Sequence, residues 1–516
     1  MKRYILLSLI LLLSASCNKL LDKKPLTNYE ADVIRNTENG MEMLLTGAYG
    51  LVSGRYYYGS VFYLVEAAKG PDFFVRNVSG GSSLYYENRY TLSSTTNGQS
   101  RMLWRDIYQV IRNATILIES IDDVPGDINN LRRIKGEAYA LRGMAYFDLM
   151  RLFAYPPIFS LPGHSKYGEQ FKWGVPILDD VQVGTDIYDY QIRRETAKDT
   201  YDYIVEQFEH ALPLLEGKAS TRGRVDHATA MALFMRVLLY MEQWEDVVDY
   251  GEDWINRYGH NYSILPYGSY VNNYSKPFNS ESIWELIYTT DNNLGSNAIN
   301  HWVRKPTIDI PGDPNDGKLK VDIGYAKLGL TFGHPNRGLD FLTLYPKDVR
   351  QYWICPLHIQ EKPEYMTIRK YIGSPTHSVY NVPLVRLPEI YFMLAEGYFN
   401  MNDNVTASDY VSRVSRERRD AVIVVSTIDD ILDEKRREYY LEGQTYFDHF
   451  RTARNLANRH IIESIASGSV NFGTTSSYSY RSVYPIPLRE MNHNPAIRDQ
   501  QNPGYAAWVL AVEDDD

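Results

Sequence analysis

The chain has 516 residues, 44% of them hydrophobic and 23% charged, with 54 lysines and arginines against 64 acidic residues and a net charge of −10. These values belong to a folded globular protein and exclude a wholly disordered, collagen-like or many-spanning membrane chain; the acidic balance makes nucleic acid a poor partner. Its two cysteines, Cys17 and Cys355, build neither a disulfide framework nor a thiolate zinc site.

The chain opens on an address. Lys2 and Arg3 precede an apolar run from Tyr4 to Leu13, broken only by Ser8. About ten residues cannot cross a bilayer that needs ~20, so residues 1–16 read as a signal peptide. Ser14-Ala15-Ser16-Cys17 follows. Small residues before a cysteine resemble the lipobox of bacterial lipoproteins, where the thiol is diacylated and the cysteine becomes the new N-terminus. Ser14 departs from that pattern, which usually has leucine there. The alternative is an ordinary secretory signal that leaves a spare thiol. On the lipoprotein reading Cys17 is the lipidation site and residues 17–27 form a lipidated, polar tether. Acyl chains hold at ~0.8 kcal/mol per buried methylene, so such a protein sits on a membrane rather than in one.

Helical periodicity dominates the body. It predicts helices at 101–120, 132–153, 196–215, 227–241, 243–257, 386–400, 404–418 and 428–450. In 132–153 the small residues Gly136, Ala138, Ala140, Gly143 and Ala145 alternate with Leu141, Tyr146 and Leu149, which favours close helix approach. Asp403 or Asn404 is the expected cap of the helix that follows. Connections are short, and Trp244 after Met241-Glu242-Gln243 is similar to tetratricopeptide repeats, without an exact 34-residue period. The fold class expected is mainly α: degenerate tetratricopeptide-like helical hairpins forming a scaffold. Residues 28–240 and 241–516 are read as its N-terminal and C-terminal regions, joined in one compact unit.

Two long stretches, 54–100 and 258–380, break the helical pattern and are rich in Tyr, Asn and Gly. Irregular insertions on a rigid scaffold are where binding residues tend to sit, so they are expected to carry the ligand face. Tyrosine is in excess, 43 against 17 phenylalanines. Its ring offers a flat apolar face and its hydroxyl a polar tip, which suits wet recognition surfaces.

Catalytic signatures are missing from the sequence. It holds no GxSxG elbow, P-loop or GxGxxG, and Asp448-His449 and His460 lack metal-ligand spacing, so His449 reads as a polar helix residue. Asp313-Pro314-Asn315-Asp316-Gly317 offers oxygens to a structural calcium but misses the EF-hand spacing, and a plain turn is the simpler reading. No cofactor is expected. Trp104, followed by Tyr108 and Ile111, reads as core, and the acidic tail 513–516 as solvated.

The body resembles the SusD/RagB family of outer-membrane nutrient-binding lipoproteins. The likeness opens at Cys17 with Leu21-Asp22 and Pro25. It continues through Gly136-Glu137-Ala138-Tyr139-Ala140-Leu141-Arg142, Phe147-Asp148-Leu149, Gly223-Arg224 and Glu281-Ser282-Ile283-Trp284-Glu285. The strongest piece is VPLVRLPEIYFMLAE at 382–396. Then come Arg436-Arg437-Glu438-Tyr439-Tyr440-Leu441-Glu442-Gly443 and, at the end, Tyr484-Pro485-Ile486-Pro487 with Asn502-Pro503-Gly504-Tyr505. Each piece is weak alone; their shared order is specific. Within these motifs Arg386, Glu389, Glu438, Glu442 and Arg451 are expected to make charge-assisted bonds between packed elements.

The resemblance implies a non-catalytic protein on the outer face of the outer membrane. It would capture an oligosaccharide or polysaccharide and deliver it to a SusC-like, TonB-dependent transporter barrel. Family ligand residues vary with substrate, so only equivalent regions are carried over. These supply Tyr85, Tyr86, Asn88 and Arg89 from the first stretch, and Tyr270, Tyr274, Asn292, Asn293, Trp302 and Arg304 from the second. Two other function classes remain open at this stage: a tetratricopeptide-type interaction module that handles peptides or gates the transporter, and a glycan-cleaving enzyme.

Overall fold

The structure is a computed structural model that describes residues 35–75, 84–93, 98–180, 191–302, 328–331, 347–350, 354–359, 362–368, 370–371, 379–459, 468–470 and 479–505. Side-chain caps start the helices. The carboxylate of Asp127 accepts from the Asn129 N–H at the head of α4 (Ile128–Phe153). Thr196 caps α5 (Ala197–Leu215), Asp226 caps α6 (His227–Tyr240), and Asp403 caps α9 (Asn404–Arg419). Thr427 and Asp430 form a capping box at α10 (Ile428–Tyr439). Each satisfies a backbone N–H that the first helical turn leaves unpaired.

The helices stack on their neighbours in sequence. Next to α1 (Glu38–Val52) packs α3 (Ser100–Ser120), then α4, then α5. After α6 come α7 (Trp244–Tyr258), α8 (Leu387–Asn400) and α9, each on the one before. Nearest-neighbour stacking of hairpins is the tetratricopeptide-like architecture expected. Close approach is sequence-encoded: a Cβ on Gly143 of α4 would stand 2.9 Å from the Phe208 ring of α5.

Strands are few and short. β2 (Ser282–Leu286) pairs antiparallel with β6 (Val382–Arg386), Ser282 facing Arg386 and Leu286 facing Val382. β1 (Phe73–Val75), β3 (Leu328–Thr331), β5 (Lys362–Ile368) and β4 (Ile354–Ile359) form a four-stranded antiparallel sheet in that order. β7 (Leu456–Arg459) pairs with β8 (Gly468–Val470).

Two expectations are corrected. The stretch 54–100 is not an irregular excursion at its start: a wide turn at Arg55–Gly59 leads into α2 (Val61–Lys69), whose residues are all buried. Tyr57, Tyr58, Phe62 and Tyr63 pack ring on ring there and belong to the core. A helix apolar all round is an interior helix, and Val61-Phe62-Tyr63-Leu64-Val65 has that character. The single helix expected at 428–450 is two, α10 and α11 (Thr445–Arg451). Between them Leu441 and Gly443 take φ of 58° and 74°, a conformation no helix contains.

Candidate functional site

The β2–β6 ladder delivers charge to the interior. Arg386, at the end of β6 and 1% exposed, donates to Glu281, Glu438 and Glu442, each at 2.9 Å. Arg418 of α9 donates to Glu438 at 2.9 Å, and Arg350 to Asp348 and Glu434 at 2.7 Å. Burial opposes ionisation of Glu434, but Arg350, Arg437 and Arg419 prevail and hold its pKa at about 2. The same contest leaves Glu438 well below the ordinary carboxylate range. Nearby, Arg236 bonds Glu389 at 2.6 Å and Arg451 bonds Glu396 at 2.7 Å. All five residues singled out from the motifs therefore tie elements together, as their sequence context suggests. Removing one partner of such a buried pair strands the other, so the network fixes the geometry of whatever rests on it.

A cleft rests on it. It is shallow, and its walls include Tyr274, Lys276, Asn279, Glu285, Lys370, Tyr371, Tyr380, Asn381 and Arg386. The Tyr371 and Tyr380 ring centroids are 5.5 Å apart. Tyr371 donates to the Leu441 carbonyl at 2.7 Å, and Tyr380 accepts from the Asn300 N–H at 3.3 Å. Asn381 donates to Glu285 at 2.8 Å. Lys370 pairs with Glu442 over the Tyr440 ring; burial pushes its ammonium down to about 8 against the pull of that carboxylate. Aromatic faces beside amide, carboxylate and ammonium groups are the lining a hydroxyl-rich ring needs: apolar area to stack on, and polar groups to fix orientation.

From the cleft wall, hydrogen bonds run toward α1. Tyr288 accepts no role in the core alone: its N–H reaches Asn381 at 3.4 Å and its hydroxyl donates to the Ser53 carbonyl at 2.7 Å. Six residues on, Leu294 packs so tightly that a Cβ on Gly59 would lie 2.7 Å from it. Through interior contacts of Tyr288 and Leu294, the cleft wall at Asn381, the 288–294 segment and the turn at Arg55–Gly59 are thus joined as one belt. Among the described residues no group of three or more His, Cys, Asp or Glu is placed to hold a metal ion.

The residues singled out from sequence fall on three kinds of ground. Tyr274 lines the cleft, its hydroxyl bonded to Glu442 at 3.0 Å. Asn292 is exposed and Asn293 half-buried on the belt, the latter donating to the carbonyls of Thr289 and Thr290. Tyr86 is 39% exposed on the short helix Tyr85–Arg89. Outward-facing side chains are not found at three positions. Asn88 is 3% exposed and donates to the carbonyls of Ala68 and Phe73; Tyr270 is fully buried, with Arg418 4.2 Å above its ring; Trp302 is 7% exposed. The side chains of Tyr85 and Arg89, and all of Cys17, Arg304 and the 313–317 loop, lie outside the described residues. Trp104 is core, as expected, and donates to Glu490 at 3.2 Å. His449 is more buried than a polar helix residue need be: burial lowers its pKa to about 3, and its Nδ1 lies 3.0 Å from the Arg454 carbonyl. Tyr371, Tyr380 and Asn381 were not singled out from sequence. Their signal was the Tyr380-Asn381 pair immediately before the VPLVR strand.

Comparison with known proteins accounts for the scaffold. Residues 19–239 match a SusD-like family described as starch-binding and associating with the outer membrane, and residues 360–505 match the SusD family. The starch-binding protein SusD of Bacteroides thetaiotaomicron is 30% identical over 151 residues, 29% of this chain and 26% of that protein. A SusD-like protein of Formosa agariphila is 20% identical over 95% of this chain and 97% of its own length. A SusD superfamily structure from Bacteroides thetaiotaomicron superposes with a TM-score of 0.76 at 25% identity, covering 90% of this chain and 100% of the other. A structure described as a laminarin-binding SusD-like protein shares the fold at 20% identity and a TM-score of 0.69, over 91% of this chain and all of its own. With two family matches in order along one chain and a shared helical scaffold over nine-tenths of it, this chain belongs to the SusD/RagB family.

Proposed function

We propose that the chain is a lipid-anchored protein of the outer-membrane surface that binds an oligosaccharide and passes it to a SusC-like, TonB-dependent transporter, without catalysis of its own. The observation that carries this reading is the pair of ordered family matches, one to a family described as starch-binding and outer-membrane-associated. The aromatic and amide lining of the belt supports it, because that lining suits stacking and hydroxyl bonding rather than bond cleavage. The lipobox-like Ser14-Ala15-Ser16-Cys17 supports the anchor. A tether raises the effective concentration of the binding face at a membrane-embedded barrel, which suits a hand-over role.

The test is calorimetry of the chain from Asn18 onward against a panel of neutral and acidic oligosaccharides. At least one should bind, and Tyr380→Ala should weaken it about two- to ten-fold, since a stacked aromatic face is worth roughly 0.5–1.5 kcal/mol. Tight peptide binding with no glycan bound would instead favour the interaction-module reading. Product release from a bound glycan, abolished by one carboxylate substitution, would favour the enzyme.

A further inference from the structure

The belt ends on an unbalanced cluster of charge. Tyr56, half-buried in the turn at Arg55–Gly59, has the Arg55 guanidinium 4.9 Å and the Arg105 guanidinium 5.7 Å from its ring centroid. Both lie within the range over which an aromatic face attracts a cation. Arg105 is half exposed and bonds the neighbouring Asp106 at 2.6 Å. Arg55 has no hydrogen-bonding or ion-pair partner through its guanidinium among the described residues, and neither does Arg101, exposed one turn before Arg105 on the same face of α3. Among the described residues, one carboxylate therefore answers three guanidinium groups.

That imbalance is costly in the free protein. Residues four apart on a helix are neighbours, so Arg101 and Arg105 repel, and both stand near the positive end of the α3 dipole. The chain as a whole is acidic, at −10. A local surplus of positive charge in such a chain does not arise from composition. It also acts alone: with a Debye length of about 8 Å at physiological salt, the distant carboxylates neither cancel it nor reinforce it. The Tyr56 ring faces two guanidinium groups; Asp106 takes the Nε–Nη2 edge of Arg105, which leaves its Nη1 and the whole Arg55 fork to match the oxygens of a carboxylate or sulfate. The exposed Asn292 amide and the cleft tyrosines lie on the same belt, linked through Leu294 against Gly59 and through Tyr288.

We propose that the ligand is an anionic glycan, and that Arg55 and Arg105, oriented by Tyr56 and reinforced by Arg101, receive its carboxylate or sulfate groups while the cleft tyrosines receive its rings. This rests on the glycan-binding reading above and narrows it to sugars bearing anionic oxygens. Uronate carboxylates and sulfate esters share that chemistry, and the panel separates them.

The chain from Asn18 onward is titrated with polyuronate, sulfated and neutral oligosaccharides of matched length, at low and high salt. The expected result is preference for one anionic class, weakened by salt. Arg55→Gln and Arg105→Gln should each reduce that affinity about ten-fold, the loss of one charge-assisted contact. Arg413→Gln, on α9 and paired with Asp409, should leave it unchanged. Thermal melts verify that each variant folds. Neutral glycans bound in preference, or anionic binding indifferent to both Gln variants, would overturn this proposal while leaving the glycan reading standing. No glycan bound at all would remove both. Binding to phosphatidylglycerol vesicles through the same arginines, with no anionic glycan bound, would assign the cluster to the membrane surface and overturn it as well.

Discussion

Glu66 shows how far burial governs single residues here. It is 2% exposed on α2 and accepts the Tyr446 N–H at 2.6 Å. Burial is the leading influence and pushes its pKa up to about 8, which the Tyr446 bond only partly offsets. In the unfolded chain the same group titrates near 4.3. A carboxyl raised on folding contributes stability that is fully present below about pH 4 and is lost as pH rises toward 8. Glu66→Gln keeps an oxygen for the Tyr446 N–H and removes the titration. The variant should therefore match the parent near pH 4 and melt at a higher temperature near pH 8.5. Melting curves across that interval decide it; a difference that does not change with pH would refute the assignment. Glu434 runs the opposite way: its arginine partners depress it to about 2, so it stabilises above about pH 4 and ceases to do so as pH falls toward 2. Neither outcome is visible in sequence, since both residues are glutamates on predicted or plausible helices. What separates them is three guanidinium groups beside one, two of them from outside its helix, and beside the other a backbone N–H brought from 380 positions away.

At the scale of elements, most of the helical scaffold was legible because a solvent-facing helix must alternate polar and apolar residues at a fixed period. The expected 404–418 became Asn404–Arg419 and 386–400 became Leu387–Asn400. Legibility failed where both sides of an element are buried. α2 has no solvent-facing side, even Glu66 and Lys69 being buried, so its stretch of aromatic and β-branched residues read as an insertion. The break between α10 and α11 failed for a related reason: Tyr439, Tyr440, Leu441, Tyr446 and Phe447 are all buried, so apolar spacing runs on through a non-helical turn. Gly443 was the one local signal. Its φ of 74° is strained for any residue with a Cβ, and that atom would lie 2.6 Å from the Tyr63 ring of α2. Gly443→Ala should thus destabilise the fold by roughly 2–3 kcal/mol, combining backbone strain with overpacking. Urea unfolding measures it. A loss below about 0.5 kcal/mol, the ordinary range of surface substitutions, would mean that the turn relaxes easily.

At the scale of the molecule, fold and site part company. The scaffold is held by local stacking and by motifs whose charged members meet across it, so order along the chain was enough to read it. The cleft draws Tyr274 and Tyr371 from positions about a hundred residues apart, at the floor of an ion network, and no periodicity links them. Of the residues expected on the ligand face, Tyr274 lines the cleft, whereas Tyr270 is buried beneath Arg418. No described helix is long and apolar enough to cross a membrane; the anchor proposed above is the lipobox-like segment that ends at Cys17. A single acyl chain gives only marginal, reversible binding; firm anchoring needs several. If Cys17 carries diacylglycerol and an N-acyl chain, Cys17→Ala removes the whole anchor in one substitution while leaving the scaffold from Glu38 onward intact. The variant should move from the membrane pellet to the soluble fraction, lose incorporation of labelled palmitate, and bind its glycan with unchanged affinity. Growth on that glycan should nonetheless fall, because capture no longer occurs beside the transporter. A variant that still pellets with membranes after a high-salt wash would show that another part of the chain holds it there.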